Sequence, residues 1–271
     1  MKKYIVAIFI LLVSVSTVCT ASQSSTYEGI VVPVHEIELA MSLDGIVAEI
    51  FVKEGDAVKS GDRLLMLDDT LQRLEVERRK EIYSDNAEIT SNKENMLIMK
   101  TLFDSAHKLY KETASVSLDE VKNLEMQYHG LQGKVNVAEA RKKQERIEYD
   151  ISKEVLARYM LLSPINGTIT SIKLEEGEWA KTGETVITVV DTSVCLVNFS
   201  IEEVDARVLK KSDEIELRVN DGNGITSKKG TIVFVSPVAD KASGLVKVNV
   251  EFENREGKVI PGGLASMGFE D

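Results

Sequence analysis

The chain has 271 residues, 43% of them hydrophobic and 28% charged, with a formal net charge of −11. That composition excludes wholesale disorder, and the acidic excess argues against a nucleic-acid partner, which needs clustered Lys and Arg to displace counterions from phosphates. The length allows one large domain or two to three small ones. Prolines stand at Pro33, Pro164, Pro237 and Pro261, and only Gly130 and Gly133 fall between Arg63 and Asn166. A long interior stretch is therefore kept clear of both backbone breakers.

Met1-Lys2-Lys3 is a short basic start, Tyr4 to Val13 an apolar run and Ser14 to Ala21 a small-residue region. This order predicts a secretory signal peptide over residues 1–21, cleaved after Cys19-Thr20-Ala21. A retained anchor is the alternative, although the uncharged run is short of the roughly twenty residues a span needs. Acylation of Cys19 is disfavoured, because Ser16-Thr17-Val18 lacks the leucine at its start and the small residue at its end that a lipoprotein site uses. If Cys19 leaves with the signal, Cys195 stays alone, and export without a disulfide fits a bacterial periplasm.

Residues 27–41 read as N-terminal strands. Residues 42–68 and 163–191 are then two copies of one pattern, aligned without a gap from Gly45 and Gly167 onward, with Gly45, Gly55 and Gly61 matching Gly167, Gly177 and Gly183. Ile50, Glu54 and Lys59 also recur at Ile172, Glu176 and Lys181. Each copy predicts short strands separated by turns, with glycine supplying left-handed turn positions and the neighbouring carboxylate either solvated or bound to a turn amide. The two copies resemble the halves of a biotinyl/lipoyl domain, a flattened barrel of two quasi-symmetric sheets. In carrier members of that superfamily, a lysine on the hairpin joining the halves bears the cofactor. Here residues 69–162 part the halves, no lysine occupies a tight joining turn, and no cofactor is expected.

That insertion lacks proline and is rich in Glu, Lys, Leu and Met, which are helix formers. Ile82, Ile89, Met96, Phe103 and Tyr110 recur at sevens, with Met99 and Ala106 completing the seam; Val121, Tyr128, Val135, Tyr149 and Leu156 recur likewise, followed three residues later by Leu124, Leu131, Ala138 and Tyr159. Two such stripes predict an antiparallel coiled-coil hairpin with arms of about 42 residues, roughly 60 to 65 Å long. Asp85, Asn92, Lys142, Glu145 and Ser152 interrupt the stripe, through looser packing, a neighbouring subunit or register drift. The tip falls at 111–117, because Ser117-Leu-Asp-Glu120 is a capping box that starts a new helix.

Over residues 192–271, strand-like runs at Cys195–Ile201, Glu214–Val219, Gly230–Val235 and Leu245–Phe252, with a short helix from Glu202 to Leu209, predict a small antiparallel β-barrel. The fold class is thus mixed α and β: a split lipoyl-like domain, an inserted helical hairpin and a barrel. His35, His107 and His129 have no ligand spacing, and Asp68-Asp69 and Glu202-Glu203 read as solvated or helix-terminal charges, so neither an enzyme nor a metal site is expected.

Taken together, the split lipoyl-like motif, the hairpin and Val259-Ile-Pro261-Gly262-Gly263 resemble the periplasmic adaptors of bacterial tripartite efflux systems, the membrane fusion protein family. The resemblance implies a non-enzymatic homo-oligomer, a trimer or hexamer, in the periplasm at the inner membrane, linking a transporter of RND or ABC type to an outer-membrane channel. It implies channel contact at the tip, through Tyr110, Ala114, Ser115, Val116 and Ser117. Efflux adaptors often carry there an Arg, a Leu four residues later and a Ser seven beyond; this chain has Ala106, Tyr110 and Ser117, so only the serine matches. In larger adaptors the chain continues into a membrane-proximal domain, to which Tyr27–Val34 would contribute one strand.

Overall fold

A computed structural model describes residues 26–268, and the predicted signal segment lies outside the described residues. In chain order the elements are β1 (Thr26–Ala40), β2 (Gly45–Ile50), β3 (Ala57–Val58), β4 (Arg63–Leu67), α1 (Thr70–Ser84), α2 (Ala87–Thr113), α3 (Leu118–Ala157), β5 (Met160–Leu162), β6 (Gly167–Ile172), β7 (Trp179–Ala180) and β8 (Thr185–Ile201). Then follow α4 (Glu203–Ala206), β9 (Glu214–Asn220), β10 (Ile225–Ala239), β11 (Val246–Glu253) and β12 (Leu264–Gly268). The chain divides into two units, His35–Asp191 and the remainder, with β1 and β8 contributing residues to both.

In the His35–Asp191 unit the two sequence copies fold by exchanging their turns. β3 of the first copy pairs with β6 of the second, and β7 of the second pairs with β2 of the first. The hydrogen bonds follow the same rule: Gly55 N–H donates to the Ile169 carbonyl (2.8 Å) and Gly177 N–H to the Val47 carbonyl (2.9 Å). Glu54 accepts from the Ile172 amide (3.0 Å), as Glu176 accepts from Ile50 (3.1 Å). Asp56 and Glu178 stay local, each accepting from the amide three residues earlier, Lys53 or Glu175, at 2.8 Å. Beneath these turns one core holds Val47, Val58, Leu64, Leu65 and Leu67 with their counterparts Ile169, Ala180, Val186, Ile187 and Val189. Such a shared core leaves neither half an interior of its own.

The six repeated glycines serve two purposes. Gly55, Gly61, Gly177 and Gly183 have φ of 93°, 92°, 89° and 81°, the left-handed region that side chains resist. Gly45 and Gly167, expected to serve the same turns, have no positive φ; a Cβ there would lie 3.2 Å from Leu67 Cδ1 or 2.6 Å from the Val190 carbonyl oxygen. Close approach of backbone, and not backbone freedom, excludes a side chain at Gly167, while at Gly45 a Cβ would only press on the end of the Leu67 side chain.

In the other unit the strand order is β1-β12-β9-β10-β11-β8, and a β1–β8 pairing returns the sheet to its first strand. Alternating residues of β8, β9 and β11, among them Val197, Phe199, Ile201, Leu217, Val219, Val248 and Val250, fill its core. Tyr27, expected in a strand of a membrane-proximal segment, pairs with Met267 of β12, and its hydroxyl donates to Asp205 (2.7 Å). β8 runs unbroken through Asp191, where the sequence suggested a stop. Asn254 heads the turn that follows β11 yet is buried: its amide donates to the carbonyls of Val259 (2.8 Å) and Thr192 (3.1 Å) and its carbonyl accepts from Val259 N–H (3.1 Å). The following turn is thereby pinned to the sheet.

One equivalent pair of turn contacts differs in chemistry. Asp44 accepts from the Thr182 amide (2.6 Å) and hydroxyl (2.8 Å), whereas its counterpart Asn166 accepts from the Ser60 amide (3.0 Å). The Thr182 amide, and then its hydroxyl, hold the Asp44 carboxyl below its ordinary pKa of 3.8. A lowered folded pKa gives stability that is present above the ordinary carboxylate range and lost as pH falls through the folded value. Denaturant titrations at about pH 6 and pH 3 are expected to show a smaller acid loss in Asp44→Asn than in the native chain.

Candidate functional site

Between β4 and β5 the chain leaves the split domain as a helical hairpin and returns to pair Arg63 with Leu162. The returning arm, α3, is one 40-residue helix, about 60 Å at 1.5 Å per residue. The outgoing arm is broken: α1 ends at Ser84, Asp85 is extended (φ −70°, ψ 111°), and α2 starts at Ala87 with its amide bonded to the Asp85 carboxylate (2.9 Å). Ser, Asp and Asn in succession favour such local bonds over helix continuation.

The break shifts the phase of the apolar stripe by one residue. In α2 the residues turned to α3 are the expected ones, Ile89, Met96, Met99, Phe103 and Ala106, and Phe103 stacks on Tyr128 with centroids 6.4 Å apart. In α1 the expected Ile82 is 39% exposed, and Tyr83 turns inward instead, stacking on Tyr149 at 5.9 Å. Gln72, Val76 and Arg79 continue that inner stripe, with Gln72 donating to the Ser152 carbonyl (2.9 Å) and Arg79 paired with Glu148. Arg78 and Arg79 together hold Glu75 down to about 2.

The lapses at Lys142 and Glu145 are explained by the same break. Lys142 Nζ donates to the carbonyls of Tyr83 (3.1 Å), Ile82 (3.4 Å) and Asp85, and to the Glu145 carboxylate (2.8 Å). A cation among the free carbonyls at a helix C-terminus satisfies acceptors that have no partner within the helix.

At the far end, Ala114 adopts the left-handed conformation (φ 53°, ψ 22°) and turns the chain. Ser117 is the N-cap of α3, its hydroxyl accepting from the Glu120 amide at 3.1 Å. Of the residues expected at a docking tip, Tyr110, Ala114, Ser115 and Ser117 are exposed and Val116 is half-buried in the turn. Ala106, which stands where efflux adaptors often carry the arginine, is buried in the seam between α2 and α3. Leu109 and Leu118 flank the tip with 46% and 45% of their surface in solvent; the sequence reading passed over them because neither lies on the seam.

A family model described as "RND MFP, barrel-sandwich hybrid domain" matches residues 35–192, a span that covers both half-motifs and the hairpin between them. The chain belongs to this membrane fusion protein family. It is similar to the nodulation protein NolF of Rhizobium meliloti (23% identity over 89% of this chain and 61% of NolF). It is also similar to the multidrug resistance protein MdtE of Escherichia coli K12 (26% identity over 88% of this chain and 62% of MdtE). The chain thus spans about three fifths of the length of these two relatives. Among solved structures, MacA from Actinobacillus actinomycetemcomitans superposes with a TM-score of 0.69 at 24% identity, covering 90% of this chain and 78% of that one, which shows a shared fold. No helix among the described residues is long and apolar enough to cross a membrane.

Substitutions at two positions test the local physics of the hairpin. Lys142→Met leaves the α1 carbonyls without their cation and is expected to cost about 1 kcal/mol and to expose the chain to protease cleavage near Asp85, while Lys142→Arg retains resistance. Ala114→Gly relieves the left-handed turn and is expected to raise stability by about 1 kcal/mol in thermal unfolding.

Proposed function

We propose that this protein is a non-enzymatic periplasmic adaptor that links an inner-membrane transporter to an outer-membrane channel for the export of small molecules. One observation carries the reading: a two-copy barrel-sandwich domain is split to emit a hairpin whose tip displays small and apolar side chains. We read that hairpin as an antiparallel coiled coil and the β1-β12-β9-β10-β11-β8 sheet as the small barrel of such adaptors. The tip, with Tyr110, Ala114, Ser115, Val116 and Ser117, is the channel-facing surface in this reading, and the adaptor works as a homo-oligomer, a trimer or hexamer. The RND label of the matching family model favours an RND-type transporter over an ABC-type one. An exported chain needs a signal at its start, which is the role proposed for residues 1–21.

A bulky cation at an exposed tip position tests docking without disturbing the seam. Ser115→Arg is expected to leave the helical circular dichroism unchanged and to reduce export, measured as dye efflux or drug tolerance in a complemented deletion strain, to the level of the deletion. Unchanged export would count against a docking tip. Val116 suits this test less well, because its partial burial couples the turn to any change there.

A further inference from the structure

We propose that the outer face of β8, β11 and β10 holds a binding groove for a small organic anion with an apolar body, a role separate from the adaptor reading. β10 bulges there. Val235 pairs with Val248 and Ala239 with Val246, so four steps along β10 match two along β11, and two extra residues arch away from the ladder. Bulges of this kind re-aim side chains and are common beside binding sites. The arch is stiff: the ring of Pro237 fixes φ at its centre, and the Ser236 hydroxyl donates to the Val238 carbonyl (2.7 Å) and accepts from the Val238 amide (3.2 Å). Between the arch, the strands and the loop over residues 240–245 lies a cavity of ≈ 570 Å³, a size that holds small molecules.

The loop is fixed as well. One Asp240 carboxylate oxygen accepts from the amides of Ala242 (3.0 Å) and Ser243 (2.9 Å) and from the Ser243 hydroxyl (2.9 Å), and Gly244 N–H donates to the Asp240 carbonyl (2.8 Å). Lys241 thus leaves from a rigid turn, while Lys247 stands on β11 across from Ser200, between the buried Val246 and Val248. Both lysines are exposed and line the groove, and neither has an ion-pair or hydrogen-bond partner among the described residues. Against these two cations the lining holds a single carboxylate, that of Asp240, which its own loop engages; the groove is positive on a chain of net charge −11. Asn198 and Ser200 add side-chain donors with no partner among the described residues. Val238, 68% exposed, and the half-buried Leu245 supply an apolar part. Unpaired cations beside apolar surface select an anion with an apolar body over a neutral molecule or a bare ion, because each part of the ligand then meets its own kind of surface. A free amphipathic acid and an anionic lipid headgroup share this chemistry.

The test uses the purified full chain. Calorimetric titration with octanoate is expected to show saturable binding that is about tenfold weaker in Lys241→Gln/Lys247→Gln and in Val238→Asp, and restored in Lys241→Arg/Lys247→Arg. Octanol, the neutral match, is expected to bind about tenfold more weakly than octanoate. Flotation with vesicles separates the two sources: binding to phosphatidylglycerol but not phosphatidylcholine, lost in the glutamine variant, makes the anion a lipid headgroup, and its absence makes it a free acid. Octanoate and octanol bound alike, octanoate bound equally by the glutamine variant, or neither octanoate nor phosphatidylglycerol bound would each overturn the groove as an anion site. The measurement involves no transporter or channel, so its failure leaves the adaptor reading standing, and failure of that reading leaves the groove standing.

Discussion

The reciprocal exchange of turns between the two halves of the split domain is the constraint on which the hairpin depends. Each half lends a two-residue strand and a glycine turn to the other, and each places a glutamate on an amide of the other. The halves consequently fold only together, although the insertion keeps them far apart in sequence. An insertion in such a domain must leave and return on neighbouring strands. β4 and β5 satisfy this, and paired strands separated by about 4.8 Å place the roots of two helices close to the 8–10 Å at which helices pack.

From those roots the hairpin holds itself together mainly by a narrow stripe, because two helices alone cannot bury more than one face each. Its buried residues are few, Ala106, Val121, Val135, Ala138 and Ser152. Polar contacts supply the rest where the outgoing arm breaks, and Lys142 there does for the α1 carbonyls what a glycine cap does elsewhere. The remaining apolar side chains, on the outer faces of α2 and α3, have no partner within the hairpin.

Legibility in the sequence followed the range of the interaction. The tip was legible because its cause is local: a capping serine with glutamate three residues on starts a helix whatever surrounds it, and the observed Ser117–Glu120 bond is that motif. The heptads of α2 and α3 were legible for the same reason. The phase slip at Asp85 was not, since Ile82 fits the seven-residue count, and only the stacking of Tyr83 on Tyr149 selects the neighbouring residue. Lys142 read as a lapse in an apolar stripe because its partners are carbonyls some sixty residues away, and backbone acceptors carry no sequence signature.

By itself the sequence determined the repeat, the positions of its turns, the helical nature of the insertion and the place where the hairpin reverses, all of which rest on backbone preference and periodicity within a few turns. Tertiary structure alone decided that the copies exchange turns, that Gly167 is required by close packing against backbone while Gly55, Gly61, Gly177 and Gly183 are required by φ, and that Asn254 is a buried anchor. Those outcomes depend on which distant atoms come within a few ångströms of each other. A residue type is compatible with several such neighbours, and only the folded chain selects among them.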